Sequence, residues 1–215
     1  MAIQLKLYRV LQGSFDLKAL NLLFVFQVNC PGCFIYGFPL VNKLYWKYRQ
    51  LGLNILGLST AFEDFQYNTA TNTELLLTEM KLVGATRQAL GEFYSQTIDF
   101  PVAVDRLTTG AALATPENIE ALTEPIPDFD RLPKSEQAAL RQKVNAYLQW
   151  HAKTSATFTL NHLLGTPTFL LVDQNLQLLD GWFGHTPEAV VVERIETHLR
   201  TVKGVPQKLC KSCVE

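Results

Sequence analysis

The sequence predicts an α/β domain, and three observations carry that prediction. Short apolar runs alternate with segments of helical period. The pair Cys30-Pro31-Gly32-Cys33 stands where one apolar run, Leu22-Leu23-Phe24-Val25-Phe26, gives way to a helical pattern. A proline-interrupted helical stretch then separates the front half from a closing hairpin and helix. At 215 residues and 47% hydrophobic content the chain can bury a full core, with one domain and an insertion as the natural organisation. The expected bounds are a domain over residues 1–203, a helical insertion at about 106–162, and a tail over 204–215.

The elements follow in order. Met1 to Val10 alternates Ile3, Leu5 and Leu7 with polar neighbours and reads as a strand. Beyond the cysteines, Leu40, Val41, Leu44, Tyr45 and Tyr48 recur at helical spacing, and Gly52 closes that helix. Leu53 to Ser59 reads as a short buried strand. Helical segments are expected around Leu75 to Val83 and Thr86 to Tyr94, then a strand over Phe100 to Val104, with Pro101 marking its beginning or an edge. In the insertion, Thr115-Pro116-Glu117 and Lys134-Ser135 are helix starts, and Leu140, Val144, Tyr147, Leu148 and His151 form one stripe. Phe169 to Val172, the turn Asp173-Gln174-Asn175 and Leu176 to Phe183 make a hairpin. Thr186-Pro187-Glu188 starts a last helix with the stripe Val191, Ile195, Leu199 and Val202.

The chemistry concentrates at Cys30 and Cys33. Two thiols at this spacing can close a disulfide across one helical turn. A helix start offers unpaired N–H groups and partial positive charge, which favour a thiolate and lower a pKa that is otherwise about 8.5. Pro31 fits the first helical position, where a missing N–H costs nothing. Strand, Cys-x-x-Cys and helix together form a redox arrangement; an inert buried pair and half of a zinc site are the alternatives.

Composition excludes several classes. Nineteen basic against twenty acidic residues, a net charge of −1 and no basic cluster argue against a nucleic-acid partner. The N-terminus lacks the apolar core and cleavage site of a signal peptide, and Leu17 to Val28 is broken by polar residues and too short to span a bilayer, so no membrane partner is expected. All four cysteines fall in two Cys-x-x-Cys pairs, unlike a stapled secreted domain, so a cytoplasmic protein is the expectation.

With LLFVFQVNCPGC, LNILGLS and GTPTFLLVDQNLQLLDGWFG in place, the pattern resembles the thioredoxin superfamily, in particular the thiol–disulfide oxidoreductases related to TlpA and the redoxins. The match covers most of residues 1–105 and 160–202. The resemblance implies a thioredoxin-like fold: a central mixed β-sheet flanked by helices, with the helical insertion ahead of a cis-proline strand. It implies that Cys30 is the nucleophile, Cys33 the resolving thiol, and Pro167 a cis proline that turns the Thr166 backbone toward Cys30 to meet substrate. On its own, Gly165-Thr166-Pro167 would read as an ordinary turn. Disulfide-containing proteins and an external thiol reductant are the implied partners, with no cofactor. The sequence departs from the family's pattern in having Asn29 before the first cysteine and Phe24 where a buried acid stands in thioredoxins proper. Glu63 and Asp64 are the nearest replacements for that acid, although a solvated loop is the plainer reading. Neither cysteine fits a peroxiredoxin signature.

Cys210 and Cys213 in the tail admit three readings: an auxiliary redox pair exchanging with Cys30/Cys33, an inert exposed tail, or thiolates of a zinc site. A thiol-based metal carrier or assembly module without turnover is the non-enzymatic alternative. The four histidines form no metal-ligand spacing, and His162 is the one placed to approach the site. Phe34, Tyr36, Trp46, Trp182 and Phe183 read as core rather than as a substrate groove.

Overall fold

The computed structural model describes residues 2–202. Its front half contains β1 (Leu7–Gln12), β2 (Leu20–Phe26), a helix entered through a π-helical turn at Cys33–Gly37 and continued as α1 (Phe38–Tyr48), β3 (Leu53–Ser59), α2 (Ala70–Glu79), α3 (Gly84–Leu90) and β4 (Val102–Asp105). The insertion holds β5 (Leu107–Thr108), α4 (Gly110–Leu113), α5 (Pro116–Thr123), α6 (Lys134–Trp150), β6 (Thr154–Ser155) and α7 (Ala156–Leu160). The chain then returns as β7 (Thr168–Val172), β8 (Leu178–Phe183) and α8 (Glu188–Val202).

Six strands form one mixed sheet in the order β1-β4-β3-β2-β7-β8. β2 runs parallel to β3, β3 parallel to β4, and β1, β7 and β8 are each antiparallel to their neighbours. β2 is central and buried at every residue, which explains its unbroken apolar reading. On one face it packs against α1 and α8 through Phe38, Val41, Leu44, Val191 and Ile195. On the other, Leu23 and Val25 meet Ile3, Leu170 and Val172. No helix among the described residues is long and apolar enough to cross a membrane.

Several expected boundaries shift, each for a local reason. The first strand starts at Leu7 rather than at the N-terminus, because Gln4 and Lys6 bond to the side chains of Asn161 and Thr157 instead of a neighbouring strand. α2 begins at Ala70, ahead of the expected Leu75, since the Thr69 hydroxyl accepts the Asn72 N–H and caps the helix there. It stops at Glu79, where Met80 turns left-handed. α3 runs Gly84–Leu90 rather than 86–94, ending at Gly91 with φ 95°. β8 starts at Leu178, after Leu176 takes φ 61° in the turn. The β5–β6 pair had no periodic signal, being two residues on each side.

The insertion has its own small core of Leu113, Leu122, Leu148, Ala156 and Leu160. Buried Asp105, at the end of β4, ties it down: its carboxylate accepts the Thr157 and Phe158 N–H groups at 2.8 and 3.0 Å and the Thr60 hydroxyl at 2.9 Å. The carboxylate thereby caps the start of α7, and the three donors partly offset the burial that pushes the Asp105 carboxyl upward.

The entrance to α1 follows from two residues. Pro39 has no N–H and would crowd the carbonyl one tight turn back, and the chain widens instead, with the Phe38 N–H reaching the Cys33 carbonyl. This leaves the buried Phe34 carbonyl without a helical donor, and the Tyr94 hydroxyl supplies one at 3.0 Å. Gly37 is required because any Cβ there would lie 2.7 Å from the Phe24 ring. Tyr94→Phe keeps the ring packing but strands that carbonyl. Denaturant unfolding of the dithiol form is expected to show a loss of ~1–3 kcal/mol; an unchanged midpoint would mean the bond contributes nothing.

Candidate active site

β2 ends at Phe26, three residues carry the chain to Cys30, and the helix begins at Pro31. Cys30 therefore occupies the N-cap, and its sulfur accepts the Cys33 N–H at 3.3 Å, as a capping side chain does. The two sulfurs lie 2.8 Å apart as free thiols, Cys33 buried and Cys30 partly exposed. Pro31 takes the helical position expected of it.

The two thiols are electrostatically unequal. The Cys33 thiol donating to the Cys30 sulfur is the largest influence drawing the Cys30 pKa down to about 6, against the opposing effect of burial. The Thr166 side chain and the Cys33 and Gly32 backbone add to it. Cys33 moves the other way: burial pushes its pKa well up, reinforced by the donation to Cys30 and by the charge there.

The loop before β7 covers this pair. The Thr166–Pro167 peptide is cis. The Thr166 carbonyl oxygen lies 3.4 Å from the Cys30 sulfur. The loop is held by the Thr168 hydroxyl donating to the Gly165 carbonyl at 2.7 Å and the Gly184 N–H donating to the Pro167 carbonyl at 2.8 Å.

A groove of about 360 Å³ opens beside Cys30, between Pro31, Phe62, Leu164, Thr166 and Phe183. Leu164 is 81% exposed and Phe183 50%, so its rim offers apolar surface to an incoming chain. Gln27 forms part of the wall: its buried amide oxygen accepts the Thr166 hydroxyl at 3.3 Å.

Two site residues escaped the sequence reading. Phe183 reads as core in the sequence, yet alternation along β8 turns it outward into the groove, opposite to its half-buried neighbour Trp182. Asn29, noted only as a departure, is a clamp: its N–H donates to Asn68 at 2.9 Å, its amide donates to Asp64 at 2.8 Å, and its oxygen accepts the Ala85 N–H at 2.6 Å. A polar residue immediately before the first cysteine was the available signal.

Other candidates fall elsewhere. Phe24 is sealed among Phe26, Phe38, Phe100 and Phe169. Glu63 lines the groove and Asp64 accepts from Asn29, while no carboxylate is among the groups that shift Cys33. His162 bonds toward the Leu122 carbonyl at 3.2 Å, in the insertion rather than beside Cys30. Phe34 is core, as expected, whereas Trp46 is 55% exposed on α1. No group of three metal-ligating side chains occurs among the described residues, and Cys210 and Cys213 lie outside them.

No protein-family model matches this chain, and no curated protein does. Solved structures do. A thioredoxin-like superfamily protein aligns at 21% identity and a TM-score of 0.58, covering 93% of this chain and 96% of its own. A thiol-disulfide isomerase from Corynebacterium glutamicum aligns at 20% identity and a TM-score of 0.57 with the same coverage. A thioredoxin-like protein solved in its oxidized form gives 13% identity and 0.51, covering 94% of this chain and 95% of its own. With the six-stranded mixed sheet, these likenesses define the fold of this chain as thioredoxin-like, insertion included.

Because folding favours the Cys30 thiolate, its contribution to the stability of the dithiol form is present at alkaline pH and lost as pH falls through about 6. Iodoacetamide labelling of Cys30 is accordingly expected to rise with a midpoint near pH 6 and then plateau. Cys33→Ala removes the main donor and should move that midpoint toward the ordinary thiol range of about 8.5. An identical midpoint in both proteins would show that Cys33 is not the cause.

Proposed function

We propose that this chain is a thiol–disulfide oxidoreductase acting on protein disulfides. The observation that carries the reading is the inequality of the pair: a partly exposed sulfur drawn toward the thiolate, backed by a buried thiol held protonated. The Cys30 thiolate attacks one sulfur of a substrate disulfide, forming a mixed disulfide and releasing a substrate thiolate, which takes a proton. Cys33 then attacks the Cys30 sulfur, its proton passing to the second substrate sulfur as that sulfur leaves. The Cys30–Cys33 disulfide forms, the second substrate thiol is released, and two electrons have passed to the substrate. An external thiol reductant restores the dithiol, a cycle suited to a reducing compartment. The groove between Thr166, Leu164 and Phe183 accepts the extended chain around the disulfide, with the Thr166 backbone beside it. In this reading Cys210/Cys213 is an auxiliary pair that passes electrons to Cys30/Cys33 at high effective concentration.

Reduction of insulin by dithiothreitol tests the activity. Wild type should accelerate it, and Cys30→Ser should remove the acceleration. Cys33→Ser should accumulate a mixed disulfide with substrate on Cys30, visible by non-reducing electrophoresis. Wild-type turnover persisting in Cys30→Ser would overturn the assignment. For the auxiliary pair, Cys210→Ser/Cys213→Ser should leave the first turnover intact and slow regeneration several-fold. Equal regeneration in both proteins would reduce the tail to a bystander.

A further inference from the structure

The insertion and Phe62 form a second, open cavity of about 490 Å³, which the thiol chemistry does not use. Its apolar lining comes from Phe62, Leu122, Val144, Leu148, Phe158 and Leu163. Phe62 and Phe158 stack with centroids 4.3 Å apart and give it a flat aromatic wall. The volume is that of a site for a small molecule rather than a packing defect.

The polar lining is one-sided. Lys143, His151 and His162 are its ionisable groups besides the Tyr147 phenol, and no carboxylate lines the cavity. Lys143 is exposed on α6 and has no ion pair among the described residues. Both histidines are fixed in place, His151 through Nδ1 to the Tyr147 carbonyl at 2.8 Å and His162 through Nε2 to the Leu122 carbonyl at 3.2 Å. Thr154 and Thr159 share a 2.6 Å hydrogen bond and bring two hydroxyls to the same wall. An apolar body fits this lining, and a single anionic group on that body complements its basic edge.

We propose that the insertion cavity binds a small apolar acid, its hydrocarbon or aromatic part against Phe62 and Phe158 and its anionic group at Lys143. This site is separate from the thiol pair and does not depend on the redox reading. Phe62 also borders the Cys30 groove, so the two sites share one wall.

The test uses 2-naphthoate and its neutral counterpart 2-naphthalenemethanol as probes, titrated calorimetrically into the full-length protein. Naphthoate should bind at one site, with the alcohol about tenfold weaker. Lys143→Gln should weaken naphthoate about tenfold and leave the alcohol unchanged, consistent with one charge-assisted contact. Val144→Phe, which fills the cavity, should abolish both, with circular dichroism and Cys30 labelling checking that it folds. Cys30→Ser/Cys33→Ser should bind naphthoate as wild type does, so a failure here and a failure of the redox reading are distinguishable. No binding at millimolar probe would overturn the proposal. So would equal binding of acid and alcohol, the result expected of a pocket for an apolar side chain of a docked polypeptide. Binding that survives in Val144→Phe would place the ligand elsewhere and overturn it as well.

Discussion

The convergence of the Cys33 N–H and the Cys33 thiol on the sulfur of Cys30 is the contact around which the site is organised. Both donors come from one residue, one helical turn further on, so they are aligned only if the helix starts at Pro31. That start is fixed from behind by β2, the central strand of the sheet, and from ahead by the proline at the first helical position. The same arrangement buries Cys33 and leaves Cys30 partly open. Two chemically identical side chains thereby become a thiolate and a thiol.

The packing beneath the pair explains how an unusual helix entry is tolerated. Phe24, from β2, fills the space under the helix, and only a glycine at position 37 can pass over its ring. Pro39 widens the turn before it, and Tyr94, from a distant loop, satisfies the carbonyl that the widening leaves without a helical donor. A phenyl ring in place of an acid below the cysteines has a chemical consequence. No carboxylate is among the groups that shift Cys33, and in the proposed reaction the departing substrate thiolate takes its proton.

Much of this was legible in the residues. The apolar runs of β2, β3 and β7 emerge as strands because each is buried on both faces. α5 and α6 start where Thr115-Pro116 and Lys134-Ser135 signal them, with a side-chain cap only at Thr115. The geometry of the candidate site was legible where it depends on local sequence, in the approach of Cys30, Cys33 and Thr166. It was not legible where it depends on tertiary approach. Asn29 acts through partners 35 to 56 positions away, and Tyr94 through one 60 away. Phe183 differs from Trp182 only in the parity of its place on a strand. The insertion reads as helices in sequence, but its cavity exists only once α6 and α7 are set against Phe62.

Whether Cys30 and Cys33 form a reversible redox pair is decided by a glutathione titration. The full-length protein would be equilibrated at defined ratios of reduced to oxidized glutathione, its free thiols alkylated, and the products resolved by mass spectrometry. A two-electron transition is expected, in which Cys30 and Cys33 lose and regain their label together, with Cys30→Ser leaving Cys33 permanently labelled after unfolding. A pair that stays fully reduced across the whole series, with thiols protected only while zinc is bound, would contradict it.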